Sequence, residues 1–210
     1  ADAEGEHPWF PGIVLLGLAR GASLGGPPHW LEAARRVARK RIEEHRGGRP
    51  VPDHWTIQGL VALHRASPDP ELLRAALSMA DAFLDGQIDA AGLSEAQRDY
   101  VGGFIVPEDL PRTLRAASRC EALGAAVTAA RELGGDGARH EAGLAAAAAH
   151  VQAGLFGPND GWYVPEPDRL RGAMRLGLVD EHVRIDGNKH AARCLLRALE
   201  ARDGPPPRGE

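Results

Sequence analysis

The sequence predicts an all-α protein built of antiparallel helical hairpins, set in an incomplete α/α-toroid or a solenoid. Three observations carry that expectation. Apolar residues recur at spacings of three and four through most of the chain, the period of helices with one buried face. Alanine is abundant while aromatic residues make up only 5% of the chain, a composition that suits closely packed helices better than a β-sandwich. Short turns marked by Gly or Pro alternate with long non-helical stretches, so helix, turn, helix and long loop recur at roughly 50 to 60 residues as a repeat of supersecondary units. At 210 residues the chain reads as a single helical domain over 1–203 with a disordered tail at 204–210.

The elements follow in order. Residues 1–11 are polar and carry His7-Pro8-Trp9-Phe10-Pro11, whose aromatics are expected to cover a core edge. A short apolar helix runs from Gly12 to Ala22, and Leu24-Gly25-Gly26-Pro27-Pro28 ends it. The second helix, His29 to His45, shows Leu31, Ala34, Val37, Ala38 and Ile42 on one stripe. Its cluster of Arg35, Arg36, Arg39, Lys40 and Arg41 invites a phosphate-binding reading. Glu32, Glu43 and Glu44 stand four residues from Arg36, Arg39 and Lys40, however, which favours a solvated outer face. Asp53 is placed to cap a third helix reaching Arg65, with Ile57, Leu60, Val61 and His64 on its stripe.

Asp69-Pro70-Glu71 opens a fourth helix, 70 to 86, with proline at the first helical position. Residues 87–109 are irregular, long for a connection, and therefore a candidate functional loop containing Tyr100-Val101-Gly102-Gly103-Phe104. The longest helix spans Pro111 to Leu133. Its main stripe is Ala116, Cys120, Leu123, Val127 and Ala130, and Ala117, Glu121, Gly124 and Thr128 form the stripe beside it. Gly134-Gly135-Asp136-Gly137 turns the chain into an alanine-rich helix ending near Leu155. Residues 156–185 are the second long non-helical stretch, and a seventh helix covers Gly187 to Ala201.

Charge and cysteine content narrow the function classes. A net charge of −4 gives no electrostatic reason to expect nucleic acid or an acidic membrane surface. The longest apolar run, Gly12 to Ala19, is too short to span a bilayer, and no three-part signal peptide is present. A soluble protein is expected, with cytoplasm and export both open. The start at Ala1 leaves room for a removed leader or upstream region. Cys120 and Cys194 lack the close partners of a CxxC site and read as small buried hydrophobes rather than a disulfide framework or metal ligands. No Walker loop, GxSxG elbow, HExxH or dinucleotide fingerprint occurs.

Four groups of residues are candidates for chemistry. Asp186 and His190 stand four residues apart at the start of the last helix and share a face; they form either a carboxylate and general base, or a cap and a packed imidazole. His54-Trp55 places a stacking aromatic beside a titratable group, which suits sugar binding and equally suits an aromatic anchor. Glu121 sits mid-helix among alanine and glycine, either exposed or held in a cavity where burial raises its pKa toward that of a general acid. Gly161-Trp162-Tyr163 with Arg184 either lines a cleft or seals the core. Two carboxylates flanking a sugar would need to lie within about 5 to 10 Å, and Glu121 with Asp186 is the pair to test.

Asp53-His54-Trp55 followed by Leu60 to Leu63, the segment Ala116 to Ala125 with Glu121 inside it, Gly161-Trp162, and Arg184-Ile185-Asp186 with His190 occur in an order that resembles the six-hairpin glycosidase-like superfamily. These helical toroids include glycoside hydrolases, polysaccharide lyases and sugar epimerases. The resemblance covers about residues 50 to 203, and its motifs are short. It implies a saccharide or related polar small-molecule ligand, with Glu121, Asp186 and His190 in proton transfer and His54, Trp55, Trp162 and Arg184 in binding. No cofactor is implied. About three and a half hairpins do not close a six-hairpin ring, so a second copy or upstream sequence is expected to complete it. The rival expectation is a non-catalytic helical scaffold that binds a protein partner. A third is a metal site using His54, His190 and a carboxylate.

Overall fold

The computed structural model describes residues 10–48, 53–91, 93–105, 111–163 and 165–203. Among them are seven α-helices, two short 3-10 turns and one two-stranded antiparallel sheet. The protein is thus predominantly helical, as the periodicity predicts. Trp9, residues 49–52 and the tail after Asp203 lie outside the described residues, while Phe10, expected to cover a core edge, is exposed. No described helix is long and apolar enough to cross a membrane. The chain divides into two compact units, Ala1–Ala82 with Ala125–Gly137, and Phe83–Gly124 with Ala138–Glu210.

The first unit contains α1 (Phe10–Ser23), α2 (Pro28–Arg46), α3 (His54–Ala66), most of α4 (Pro70–Leu84) and the end of α5 (Thr113–Glu132). Helix α1 packs on α2 and α3. Gly12 and Gly59 allow the approach to α3: a Cβ at Gly12 would fall 2.1 Å from Asp53 Oδ1, and one at Gly59 would fall 2.7 Å from Leu15 Cγ. The α1–α2 break is made by Gly25 at φ +85, a conformation that favours glycine. Buried Leu15, Leu16, Ala34, Ala38, Ile42, Ile57, Leu60 and Leu63 form the core, largely on the expected stripes.

Asp53 caps α3 as predicted. Its Oδ1 accepts the Thr56 N–H at 2.7 Å, while Oδ2 accepts the Thr56 hydroxyl at 3.0 Å and Arg41 Nη2 at 3.1 Å. The α2 ion pairs differ from those expected. Arg35 pairs Glu32 and Arg41 pairs Glu44, both three residues apart. Arg41 is also not on the solvated face, because its guanidinium turns inward to the α3 cap. Glu132, near the end of α5, is held by Arg65 of α3 at 2.9 Å.

The second unit begins with a closed loop. Ile88 N–H donates to Gly103 O, Gly102 N–H to Ile88 O, and Ile105 N–H to Gly86 O, each at 2.9 Å. Gly102, at φ +82, leaves no room for a side chain, since a Cβ would lie 2.0 Å from Ala146 O on α6 (Ala138–Ala153). The described part of the stretch expected to be irregular is therefore a backbone-paired excursion that buries Phe104.

After α6 the chain makes an isolated bridge, Leu155 to Met174, and then a hairpin of β1 (Arg175–Gly177) and β2 (Asp180–Val183). The sequence reading assigned no strand here. The strands are three and four residues long, and the turn residues Leu178 and Val179 carry none of the Gly or Asn signal that marks a tight hairpin. Helix α7 (Ile185–Asp203) follows and packs on α6. The Asn188 side-chain carbonyl accepts the Met174 N–H at 2.7 Å, tying the α7 start to the hairpin base.

Candidate functional site

The second unit brings the first half of α5 against α7 through a series of residues one helical turn apart. Cys120 and Cys194 form a disulfide with their Cα atoms 5.2 Å apart. This corrects the expectation of two unlinked thiols. Both are buried, as expected, but 74 positions of sequence are brought together by helix packing that spacing alone does not reveal. One turn further along, Gly124 meets Arg197 so closely that a Cβ would lie 2.7 Å from Arg197 Cβ. Gly124 therefore lets the helices approach at the level of the neighbouring acidic residue.

That residue is Glu121. It is 1% exposed, which removes the simpler reading of a solvent-facing carboxylate. His190 Nδ1 lies 2.6 Å from Glu121 Oε1, and Arg193 Nε lies 3.3 Å from Oε2. The three groups form a buried carboxylate facing an imidazole and a guanidinium, both from α7. Moving a carboxylate out of water costs several kcal/mol, offset here by two partners that carry or can carry positive charge. His190 is itself buried, while Arg193 keeps part of its side chain in solvent.

Asp186 is placed differently from its expected pairing with His190. It lies inside the first turn of α7 rather than at the cap position, and Arg184 grips it through Nε at 3.0 Å and Nη2 at 2.9 Å. Its Oδ1 also accepts the Gly187 N–H at 3.0 Å. Burial works to raise its pKa, yet the Arg184 guanidinium and the Gly187 amide together hold the carboxyl below its ordinary value. The acid that meets His190 is thus Glu121, from 69 positions away, rather than Asp186.

The remaining predicted residues are distributed as follows. Trp162 is 83% exposed and stands edge-to-face with Tyr163, whose hydroxyl donates to Glu181 at 2.6 Å. Neither aromatic seals the core. Arg184 is exposed and engaged with Asp186. In the first unit, His54 is buried and its ring lies 4.2 Å from that of Trp55, a local stack at the start of α3. Arg193 was not among the sequence candidates, although it stands at the i+3 position from His190. A second signal was legible and unused: Cys120 adjoins Glu121, and Cys194 lies four residues after His190. No family model, curated protein or solved structure matches the chain.

Proposed function

We propose that Glu121 and His190 form a proton-transfer couple that acts on a carbohydrate or related polar small molecule, within a helical-hairpin fold of the toroid kind. The observation that carries the reading is the 2.6 Å contact between the two inside a helix interface. An apolar pair would serve such packing at least as well, because a buried ion pair is often no more stabilising than hydrophobic residues of the same volume. Ionisable groups that converge in a buried place are candidates for a functional site. With Glu121 ionised, its Oε1 accepts from Nδ1–H and fixes the tautomer, so the imidazole lone pair sits on Nε2, the atom suited to act as general base. Arg193 then holds the second carboxylate oxygen and keeps Glu121 oriented.

Exposed Trp162 offers a ring face for stacking on a sugar, and the Arg184–Asp186 pair offers hydrogen-bonding groups of both signs. The disulfide fits an oxidising compartment, and export is the reading we adopt. The test is thermal-shift screening against mono- and oligosaccharides, with wild type compared with Glu121→Gln and His190→Asn. Binding sugars are expected to raise the wild-type melting temperature and to lose that effect in both variants. A folded wild type that responds to no sugar overturns the carbohydrate reading.

A second reading, a non-catalytic scaffold for a protein partner, is favoured by the outer face of α1. Phe10 and Ile13 are exposed there three residues apart, and Leu24, in the turn that follows the helix, is exposed as well. Ile13→Asp should abolish any concentration-dependent association seen by size-exclusion chromatography if that face is sticky.

A further inference from the structure

We propose that Arg119, with Arg115 one helical turn before it, forms a binding site for a small oxyanion, either a phosphate group or a carboxylate. The Arg119 guanidinium carbon lies 4.7 Å from the centroid of the Phe104 ring and 5.0 Å from that of Phe83. All of these residues belong to the second unit. Aromatic rings engage the π-face of a guanidinium and leave its five in-plane N–H donors unspent. Those donors are the ones that grip a carboxylate or phosphate in bidentate fashion.

No carboxylate pairs with Arg119 among the described residues. Asp85, two positions after Phe83, is taken by Arg139 at 2.7 Å. The neighbouring charge that acts on Arg119 is another cation: burial first, then the positive charge of Arg115, lowers its pKa to about 10. Like charges four residues apart on a helix destabilise it, and a partly desolvated cation without a counterion adds to that cost. Two cations are thus kept together on α5, with one immobilised by two phenyl rings and still partly open to solvent. An oxyanion in the guanidinium plane would neutralise both and satisfy the donors.

The site also explains the closed loop of residues 86–105. The backbone pairing of Gln87 with Phe104, and the fit of Gly102 on α6, fix the Phe104 ring that braces the guanidinium. The arrangement is preorganised, and bidentate recognition benefits from preorganisation. It is separate from the Glu121 couple, because positions 119 and 121 point about 200° apart around a helix. Its success or failure is therefore independent of the proposed function.

The experiment is titration of the full chain by calorimetry and thermal shift with sodium phosphate and, separately, with sodium D-glucuronate. D-glucose and sodium chloride of matched ionic strength are the controls. Wild type is expected to respond to at least one anion and not to the controls; phosphate alone identifies a phosphoryl ligand, glucuronate alone a carboxylate. Arg119→Gln should weaken binding by about tenfold or more, Arg119→Lys should recover only part because the fork is lost, and Arg115→Gln should weaken it a few-fold. Arg115 is exposed, so that variant carries the test if Arg119→Gln fails to fold. Glu121→Gln should leave the anion response intact. Wild type indifferent to both anions, or Arg119→Gln and Arg115→Gln titrating like wild type, overturns the proposal.

Discussion

Asp53 in the first unit and Glu121 in the second are both buried carboxylates with a guanidinium partner, yet they have different reasons to be there. Asp53 is 0% exposed and serves the backbone: it caps α3, takes the Thr56 N–H and hydroxyl, and draws Arg41 inward. Its position is dictated by the helix it starts. Glu121 lies in the middle of α5, where the backbone is already hydrogen-bonded and has no use for a side-chain acceptor. Its partners, His190 and Arg193, come from another helix and are themselves titratable or charged. A buried acid that its own helix explains is a folding device, whereas one that only distant side chains explain is a candidate for chemistry.

The largest effect should come from the covalent link beside Glu121. The Cys120–Cys194 bond spans 74 positions, and closing a loop of that length removes unfolded-state entropy worth about 4 kcal/mol in the chain-entropy treatment. Cys120→Ala with Cys194→Ala should lower stability by roughly that amount in urea titrations. If the Glu121 couple then loses its ligand response while α3 remains protected from hydrogen exchange, the two carboxylates are supported independently. Next comes Asp53→Ala, expected to cost about 3 kcal/mol because it removes a cap and strands the inward-turned Arg41. Asp53→Asn keeps the cap and should cost distinctly less. Equal losses for Ala and Asn would mean that the ion pair, rather than the cap, explains the burial of Asp53, and the contrast with Glu121 would weaken.

A smaller effect on stability sharpens the contrast from the other side. Replacing both members of the couple, Glu121→Leu with His190→Leu, should change stability by no more than about 1 kcal/mol in either direction, because a packed apolar pair substitutes well for a buried ionic one. Single Glu121→Leu should be the costlier change, since it leaves the buried His190 without its acid, whereas the part-exposed Arg193 can turn to water in either variant. A double variant that collapses outright would mark Glu121 as structural, like Asp53.

The same contrast decides what the sequence could disclose. The helices were legible because most of them repeat apolar residues at helical spacing, and the Asp53 cap because a cap and its target lie three residues apart. Asp186 looked like the partner of His190 for the same local reason. The partner is Glu121, whose approach depends on how α5 packs on α7, and no local pattern encodes that packing. The disulfide escaped on the same grounds, and the β1–β2 hairpin because its two central turn residues, Leu178 and Val179, are neither glycine nor asparagine. The all-round burial at 120–127 was foreshadowed by the Ala and Gly content, which permits close neighbours without naming them.

The smallest predicted effect is a pH response of opposite sign in the two regions. Burial lifts the Asp53 pKa above its ordinary 3.8, against the opposing pull of the Thr56 N–H, the Thr56 hydroxyl and Arg41. A folded pKa above the unfolded one gives stability that is full below the unfolded value and is lost as pH rises through the folded value. His150 on α6 runs the other way. Burial pushes its pKa below the ordinary 6.5 despite the Asp99 and Val101 carbonyls, and its buried Nε2 has no hydrogen-bond partner among the described residues. Its contribution is therefore complete above the unfolded value and is lost as pH falls below 6.5 toward the folded pKa. On acidification from neutrality, α6 amides should lose hydrogen-exchange protection first, after correction for intrinsic rates. Protection of α3 should hold or rise until Asp53 is protonated. His150→Gln should flatten the α6 response without touching α3, and Asp53→Asn should do the converse. An α6 response that survives His150→Gln assigns the acid sensitivity to another group.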